Sequence, residues 1–416
     1  MGATLLSISI ILPPIGILAG LYGIYKDYSK WNIYIICIAL SIAAIAYCYY
    51  PKGDPDLVRY VAYIESLRNA PLSYAMNYGV KGEGNTYVFS FFCWIAAQMD
   101  DPHIIPAISA FFVYYIGLYI TCKIGFDYEI KTNDIIIYIL FILITANMYS
   151  VINNIRNVFA FSVVSFAIFR DCYLKKRNWV TWVLYIFPLF VHHAAILIIG
   201  LRLLMNVVGR IKMIAFLSMI LIKPIINFLY AITVRISSHN VFVNLADNFI
   251  LKAYLYYNDT SSPWGLFVKN SKSFKLERII DIFFAVIICL MIFIIDNSSS
   301  EQLLSKIIKG SRLKQIIYLP FMLALLTISC ATMLTPEYWR FFTVTLMFSA
   351  IPVLVLLNYG SDNVRLFSKS VFLIAPLSFI VWIRFLFFSN VATLIFKPFI
   401  SSPLLILVNG LFNWSN

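Results

Sequence analysis

Long apolar runs are the feature that most restricts what this chain can fold into. Runs of about 18 to 25 apolar residues recur along the sequence, which is the length a helix needs to cross roughly 30 Å of hydrocarbon. Hydrophobic residues make up 61% of the 416 residues and charged residues only 12%, too few charges to solvate a globule of this size. The sequence therefore predicts an all-α polytopic membrane protein and excludes a cytosolic enzyme.

We place about twelve transmembrane or re-entrant helices on these runs, within a single integral membrane domain covering 1–416. The first run has no basic flank before it and no small-residue cleavage pattern, so we expect a retained span and not a signal peptide. The predicted elements are 5–25, 32–50, 87–99, 104–122, 134–151, 155–173, 179–201, 212–234, 279–296, 315–334, 340–358 and 370–389.

Basic residues predict the orientation. The net charge is +13, but the 32 Lys and Arg lie mostly in short connections, where they mark the cytoplasmic side and do not imply nucleic acid. We place 175–177, 306–314 and the pair Arg365 and Lys369 in the cytoplasm. Two polar segments, 51–86 and 235–278, then become extracytoplasmic loops, on the same side as 153–156 and 337–340.

Two places do not fit a simple alternation of spans. Arg202, Arg210 and Lys212 look cytoplasmic, as does 175–177, yet one run lies between them. A re-entrant hairpin with His192 and His193 at its tip resolves this conflict, and the short run 87–99 is treated in the same way. Irregular backbone at membrane depth is tolerated where it is buried in protein or lines a wet cavity, so both places predict a site.

Arginines at the outer ends of two runs are candidate anion ligands. Arg156 follows Asn153 and Asn154 where two runs meet, a pattern typical of a helix start that binds an anion; the alternative is an arginine snorkelling to lipid headgroups. Arg340 opens a late run and is a second candidate. Glu337 lies three residues before it, so an ion pair on one helix face is the structural alternative.

The histidine pair lies in an apolar context with no carboxylate near it in sequence. A neutral imidazole there can accept a proton or form a hydrogen bond, while a histidine bonded to a backbone carbonyl is an equally weighted alternative. Neighbouring helical positions point about 100° apart, so we expect His192 to line a cavity and His193 to pack behind it.

Two polar segments carry candidate sugar-binding residues. Asp56, Arg59 and Tyr60 follow an early run, and Lys252 and Tyr254 lie in the later segment. Carboxylates beside aromatic rings are typical of sugar-binding surfaces, although a solvated loop and interfacial tyrosines are the plain alternative. The seven cysteines lie in or beside apolar runs without CxxC or close Cys/His pairing, so we predict neither disulfides nor a metal site, and no cofactor.

Four of these segments, in order, resemble the bacterial exopolysaccharide and O-antigen polymerases of the EpsG or Wzy type. Asp56 to Tyr60 resembles that family's acidic-to-tyrosine motif, and 154–157 (Asn-Ile-Arg-Asn) resembles its Asn-x-Arg-Gln segment. The segment 190–196 (Phe-Val-His-His-Ala-Ala-Ile) is similar to its Leu-Phe-His-x-Ser-Ala-hydrophobic segment, and 338–342 to a late Arg-aromatic segment. Asn157 replaces the usual Gln, and Ala194 replaces the usual Ser.

The resemblance implies a GT-C-like helical fold in the bacterial cytoplasmic (inner) membrane and polymerisation of undecaprenyl-diphosphate-linked oligosaccharide repeats by metal-independent, inverting glycosyl transfer. It implies a chain-length regulator and a flippase as partners. His192, Asp56, Arg156 and Arg340 are then the predicted catalytic residues; the predicted substrate-binding residues are Arg59, Tyr60, His193, Asn154, Lys252, Tyr254 and Glu337. An O-antigen ligase or another polyprenyl-linked glycosyltransferase, and a flippase for lipid-linked oligosaccharides, are the alternatives.

Overall fold

Helices account for nearly all of the chain that the structure describes. The computed structural model describes residues 2–49, 56–78, 86–233, 250–251, 254, 270–297, 311–332 and 337–388. No strand occurs within these ranges. The predicted all-α class is therefore confirmed for the described residues.

Thirteen of the described α-helices precede residue 234, and seven follow it. Those before it are α1 (Gly2–Ile11), α2 (Pro13–Lys26), α3 (Trp31–Tyr47), α4 (Asp56–Ser66), α5 (Leu72–Tyr78), α6 (Tyr87–Gln98), α7 (Ile104–Asp127), α8 (Thr132–Thr145), α9 (Met148–Asn153), α10 (Ile155–Cys172), α11 (Trp179–Ile186), α12 (Ala195–Ile220) and α13 (Ile222–Thr233). Those after it are α14 (Lys272–Asn297), α15 (Ser311–Ile316), α16 (Tyr318–Thr332), α17 (Glu337–Phe348), α18 (Ala350–Tyr359), α19 (Asp362–Ser370) and α20 (Ile374–Phe388).

The expected count of about twelve spans is not confirmed. Within the described ranges, six helical segments are long and apolar enough to cross a membrane, or seven if α12 and α13, which meet at a bend of 85°, form one span. Three apolar helical segments are shorter, at 87–98, 132–145 and 179–190. Proline and asparagine divide the apolar runs: α2 starts at Pro13, and Asn147 caps α9 after α8 has ended.

Helix α12 corrects the predicted end of a span at residue 201. It continues through Arg202, Arg210 and Lys212 to Ile220, with one kink at Ile211. Two of these basic side chains find carboxylate partners inside the protein: Arg202 Nε lies 2.8 Å from Asp171 and Lys212 Nζ 2.5 Å from Asp296. A cation that is paired with a carboxylate can lie within a helix and does not require a water-exposed loop. The prediction from charge alone therefore ended this helix too early.

The two predicted outer loops also contain helix. Helices α4 and α5 lie within 51–86, and α14 begins at Lys272, six residues before the predicted end of 235–278. The predicted break at the histidines is confirmed, because α11 ends at Ile186, a 3-10 turn covers Phe187–Phe190, and α12 starts at Ala195. Most of 235–278 lies outside the described residues.

Helix α10 connects the two ends of the packed helices. It lies against α7, α11, α12 and α17, and its 18 residues span about 27 Å at 1.5 Å per residue. Asn154 and Arg156 are at its start; at its other end, the Lys175 side chain bonds Gln315, which brings 175–177 beside α15. The two sets of residues that we assigned to opposite sides of the membrane are thus at opposite ends of one helix.

Candidate functional site

Four helix starts meet at the end of the molecule where α10 begins. Asp56 is the first residue of α4, Arg156 the second of α10 and Arg340 the fourth of α17, while His192 lies three residues before α12. At each of these helix N-termini, the first backbone N–H groups have no partner within the helix, and the positive end of the helix dipole lies there. We call Asp56, Tyr60, Asn154, Arg156, Asn157, His192 and Arg340 the arginine cluster.

Arg156 is held by two aromatic side chains, those of Tyr60 and Phe89. Its side chain is buried, with only 4% of the residue exposed, and its Nε donates to Tyr60 Oη at 2.8 Å. The guanidinium carbon lies 5.0 Å from the centre of the Tyr60 ring and 5.2 Å from that of Phe89, which stabilises a cation without neutralising it. An arginine snorkelling to headgroups would be exposed, so that alternative does not describe Arg156.

Arg340 is held mainly by amide oxygens. Its Nε donates to Asn154 Oδ1 at 3.0 Å. The Asn157 amide is oriented so that its oxygen faces this guanidinium and accepts from Nη1 at 2.7 Å. In the opposite orientation its NH2 would face the guanidinium donors and its oxygen would face the His192 ring nitrogen. The Asp56 carboxylate lies further away, 3.6 Å from Nη2, and is also bonded by Arg59.

The same Asn157 amide connects Arg340 to the histidine. Its NH2 donates to the His192 ring, 3.1 Å from Nδ1, so the ring presents an unprotonated nitrogen. Burial, and then the charges of Arg156 and Arg340, lower the pKa of His192 well below its usual range. Phe161 lies beside this ring and stacks on Phe341 with centroids 4.9 Å apart, which joins α10 to α17 beneath it. His192 is therefore a neutral base next to two guanidinium groups.

The arginine cluster and its neighbour Arg59 bring several guanidinium groups together. Among the described residues, Arg59 and Arg340 approach the Asp56 carboxylate and Arg156 donates to Tyr60. The groups partly surrounding Arg156 and Arg340 are a phenol and amides, which orient a cation but do not neutralise it. The arrangement is suited to binding an anion with at least two negative charges.

An apolar recess adjoins Arg156. Its walls come from α6, α7 and α10 and from the turn before α12, and among the described lining residues the Arg156 guanidinium is the charged group. The lining residues are Phe89, Phe92, Ile105, Ile108, Ser109, Ile155, Arg156, Phe159 and Val191. A hydrocarbon chain that ends in an anionic group is complementary to this surface.

The remaining predicted site residues lie at the edge of the cluster or outside it. Arg59 is exposed and pairs with Asp56. His193 is exposed, which corrects the expectation that it packs behind His192. Tyr254 stacks on Tyr230 of α13 with centroids 3.8 Å apart. Glu337 starts α17, but its side chain and all of Lys252 lie outside the described residues, so the predicted pair of Glu337 with Arg340 is not tested.

Two features of this end were not predicted as site residues. Asn157 joins Arg340 to His192, although in the sequence it was only a departure from a motif. Glu277, which is half-buried, and Asp281, which is buried, lie one turn apart on α14 beside α9. In the sequence they are two acidic residues four positions apart at the start of an apolar run. The predicted loop end at 278 placed Glu277 in the loop and Asp281 in the span.

Comparisons with protein-family models, with curated proteins and with solved structures find no match to this chain.

Proposed function

We propose that this protein is a membrane glycosyltransferase that polymerises undecaprenyl-diphosphate-linked oligosaccharide repeats into O-antigen, capsule or exopolysaccharide. One observation carries the proposal: four segments distant in sequence, each resembling a motif of the EpsG or Wzy type, contribute the side chains of one cluster. That cluster combines two guanidinium groups with an imidazole and an adjoining apolar recess.

The two arginines hold the leaving group. Arg156 and Arg340 bind the diphosphate through charge-assisted hydrogen bonds, and the start of the isoprenoid chain lies against the apolar recess next to Arg156. Negative charge increases on the bridging oxygen as the bond from the anomeric carbon to the diphosphate breaks. Guanidinium groups already in place stabilise that charge without reorganising.

His192 accepts the proton of the acceptor sugar. The hydroxyl oxygen attacks the anomeric carbon from the face opposite the diphosphate, so the bond to carbon forms with inversion while the leaving group departs with its electron pair. The proton passes to the unprotonated nitrogen of the imidazole, from which the Asn157 amide turns away as the acceptor sugar binds. Bound diphosphate offsets the charges of Arg156 and Arg340, two of the causes that lower the pKa of His192, so the substrate itself makes this base stronger.

Asp56 has a different part in this scheme. Its carboxylate is engaged by Arg59 and approached by Arg340, so in this scheme it orients guanidinium groups. Exposed tyrosines of the same region, Tyr74 on α5 and Tyr87 at the start of α6, supply flat surfaces for sugar rings.

Restoration of surface polysaccharide in a deletion strain of the source organism tests the proposal. A polymerase is expected to convert lipid-linked or capped single repeats into a ladder of longer products on a gel. Single repeats that persist in the deletion strain and become a ladder on complementation support the proposal. A deletion strain that makes no surface repeats identifies a flippase, and one that makes polymer but leaves it on the lipid carrier identifies a ligase.

A further inference from the structure

A second polar pocket lies beside α17, the helix that carries Arg340. It is enclosed by α8, α9, α14, α17 and α20, and most of the side chains lining it carry oxygen. These are Thr145, Asn147, Ser150, Glu277, Asp281, Thr343 and Ser378. Its free space is about 20 Å³, enough for one water molecule or one small ion and far too little for a sugar.

Two carboxylates on one helix face line this pocket. Glu277 and Asp281 are one turn apart on α14, within a segment suited to span the membrane. Glu277 Oε1 accepts from Asn147 Nδ2 at 3.1 Å. Asp281 is 3% exposed, and its Oδ2 has no hydrogen-bond partner among the described residues. Neither carboxylate is paired with a Lys or Arg in the described part of the chain.

A third oxygen is independent of this acidic pair. Thr145 is on α8, its residue is 3% exposed, and its Oγ1 also lacks a hydrogen-bond partner within the described ranges. Two carboxylates one turn apart repel each other, and the buried one, Asp281, is costly to desolvate unless a positive group compensates it. Carboxylate and hydroxyl oxygens are the ligands that hard cations prefer.

We propose that this pocket binds one dehydrated hard cation of the size shared by Na⁺ and Ca²⁺. Glu277, Asp281 and Thr145 are its main ligands, and Ser150 and Ser378 are within the same lining. Mg²⁺ is excluded by size, because it keeps several of its waters and the pocket has no room for them. Ca²⁺ neutralises both carboxylates by itself, whereas Na⁺ leaves one proton on the pair.

The cation site is connected to the arginine cluster by a continuous chain of bonds. Glu277 accepts from Asn147, whose Oδ1 accepts from the Ser150 N–H at 3.2 Å. The Ser150 carbonyl accepts from Asn154 Nδ2 at 3.1 Å, and Asn154 Oδ1 accepts from Arg340. A bound cation thus fixes α14 against the segment that positions Arg340, and it does so whatever reaction the cluster performs.

Thermal unfolding of the purified full-length protein in nanodiscs tests the proposal. Protein stripped with a chelator in choline chloride is titrated with CaCl₂ or NaCl at constant ionic strength and pH. We expect a saturable rise in Tm of several degrees with one or both cations and none with MgCl₂. Asp281→Asn should abolish the rise, and Asp171→Asn at the opposite end of α10 should keep it.

Each other outcome is informative. Equal Tm with and without both cations overturns the proposal, as does an equal rise in Asp281→Asn and wild type. A Tm that follows pH but neither cation would show that the carboxylates share a proton instead. If Asp281→Asn fails to fold, Thr145→Val keeps both charges and should weaken the apparent affinity about tenfold; unchanged affinity would contradict the proposed ligand set.

Discussion

The two ends of α10 use arginine in opposite ways. At one end, both oxygens of Asp171 are bonded by arginines, by Arg177 Nε at 2.6 Å and by Arg202 Nε at 2.8 Å. At the other end, Arg156 donates to a phenol and Arg340 mainly to amides. Pairing with a carboxylate neutralises a cation and joins helices, whereas a phenol or an amide orients a cation and does not itself neutralise it. The acceptor, more than the arginine, distinguishes a structural charge from one that can bind a ligand.

Replacing His192 should have the largest effect on activity. A general base contributes roughly a hundredfold to ten-thousandfold in rate, so His192→Ala should leave short and sparse polymer in an assay with purified protein and lipid-linked repeat. His193→Ala is the matched control, and because that neighbour is exposed we expect activity within about twofold of wild type. Wild-type activity in His192→Ala would move the proton-accepting role to Asp56 or to solvent.

The pH dependence of the same reaction follows from the lowered pKa of His192. The base works in its neutral form, and a lowered pKa keeps it neutral at pH values where an ordinary histidine, with a pKa of about 6.5, is protonated. The loss of kcat/KM on acidification that belongs to this group should therefore occur well below about pH 6.5. A midpoint at about 6.5 that disappears in His192→Ala would contradict the environment described for the ring.

Arg156→Lys and Arg340→Lys should be the next most damaging changes. An ammonium keeps the charge but loses the planar fork that binds two phosphate oxygens, and losing one such transition-state contact costs about 10²–10³ in kcat. Arg202→Lys, at the carboxylate-paired end, should keep polymer length because Lys still pairs with Asp171. Full polymer length in both Arg156→Lys and Arg340→Lys would show that these two arginines are structural. Arginine would then have the same role at both ends of α10.

The sequence predicted the members of the arginine cluster better than it predicted the helices around them. Charges in or next to apolar runs are expensive enough to be noticed without a structure, which is why Asp56, Arg156 and Arg340 were identified. The course of α12 was not predictable in this way, because Arg202 is neutralised by Asp171, which lies 31 residues away. Asn157 carries no charge, so its bonds to Arg340 and His192 could only be found from coordinates.

Tyr60→Phe tests the neutral acceptors directly and should have a smaller effect. The change removes the oxygen that accepts from Arg156 Nε but keeps the ring beneath the guanidinium. Losing one hydrogen bond to a charged group costs roughly 1–2 kcal/mol, or about tenfold in kcat/KM. Tyr63→Phe on the same helix, whose hydroxyl donates to the Ala75 carbonyl at 3.3 Å, is the control and should be nearly silent.

The carboxylate-paired end should show the smallest effect on turnover and a clear effect on stability. Asp171→Asn removes the charge that Arg177 and Arg202 share, and Arg202, whose side chain is 23% exposed, is left with an amide in place of a carboxylate. We expect roughly 1–3 kcal/mol of lost stability, seen as a lower Tm, with polymer yield per folded molecule unchanged, because Arg156 is about 22 Å away along α10. Asp362→Asn, where the carboxylate of a surface pair is 99% exposed, should leave both quantities unchanged. A fall in turnover in Asp171→Asn at matched folded protein would show that the two ends are coupled and that charge pairing does not separate structure from function here.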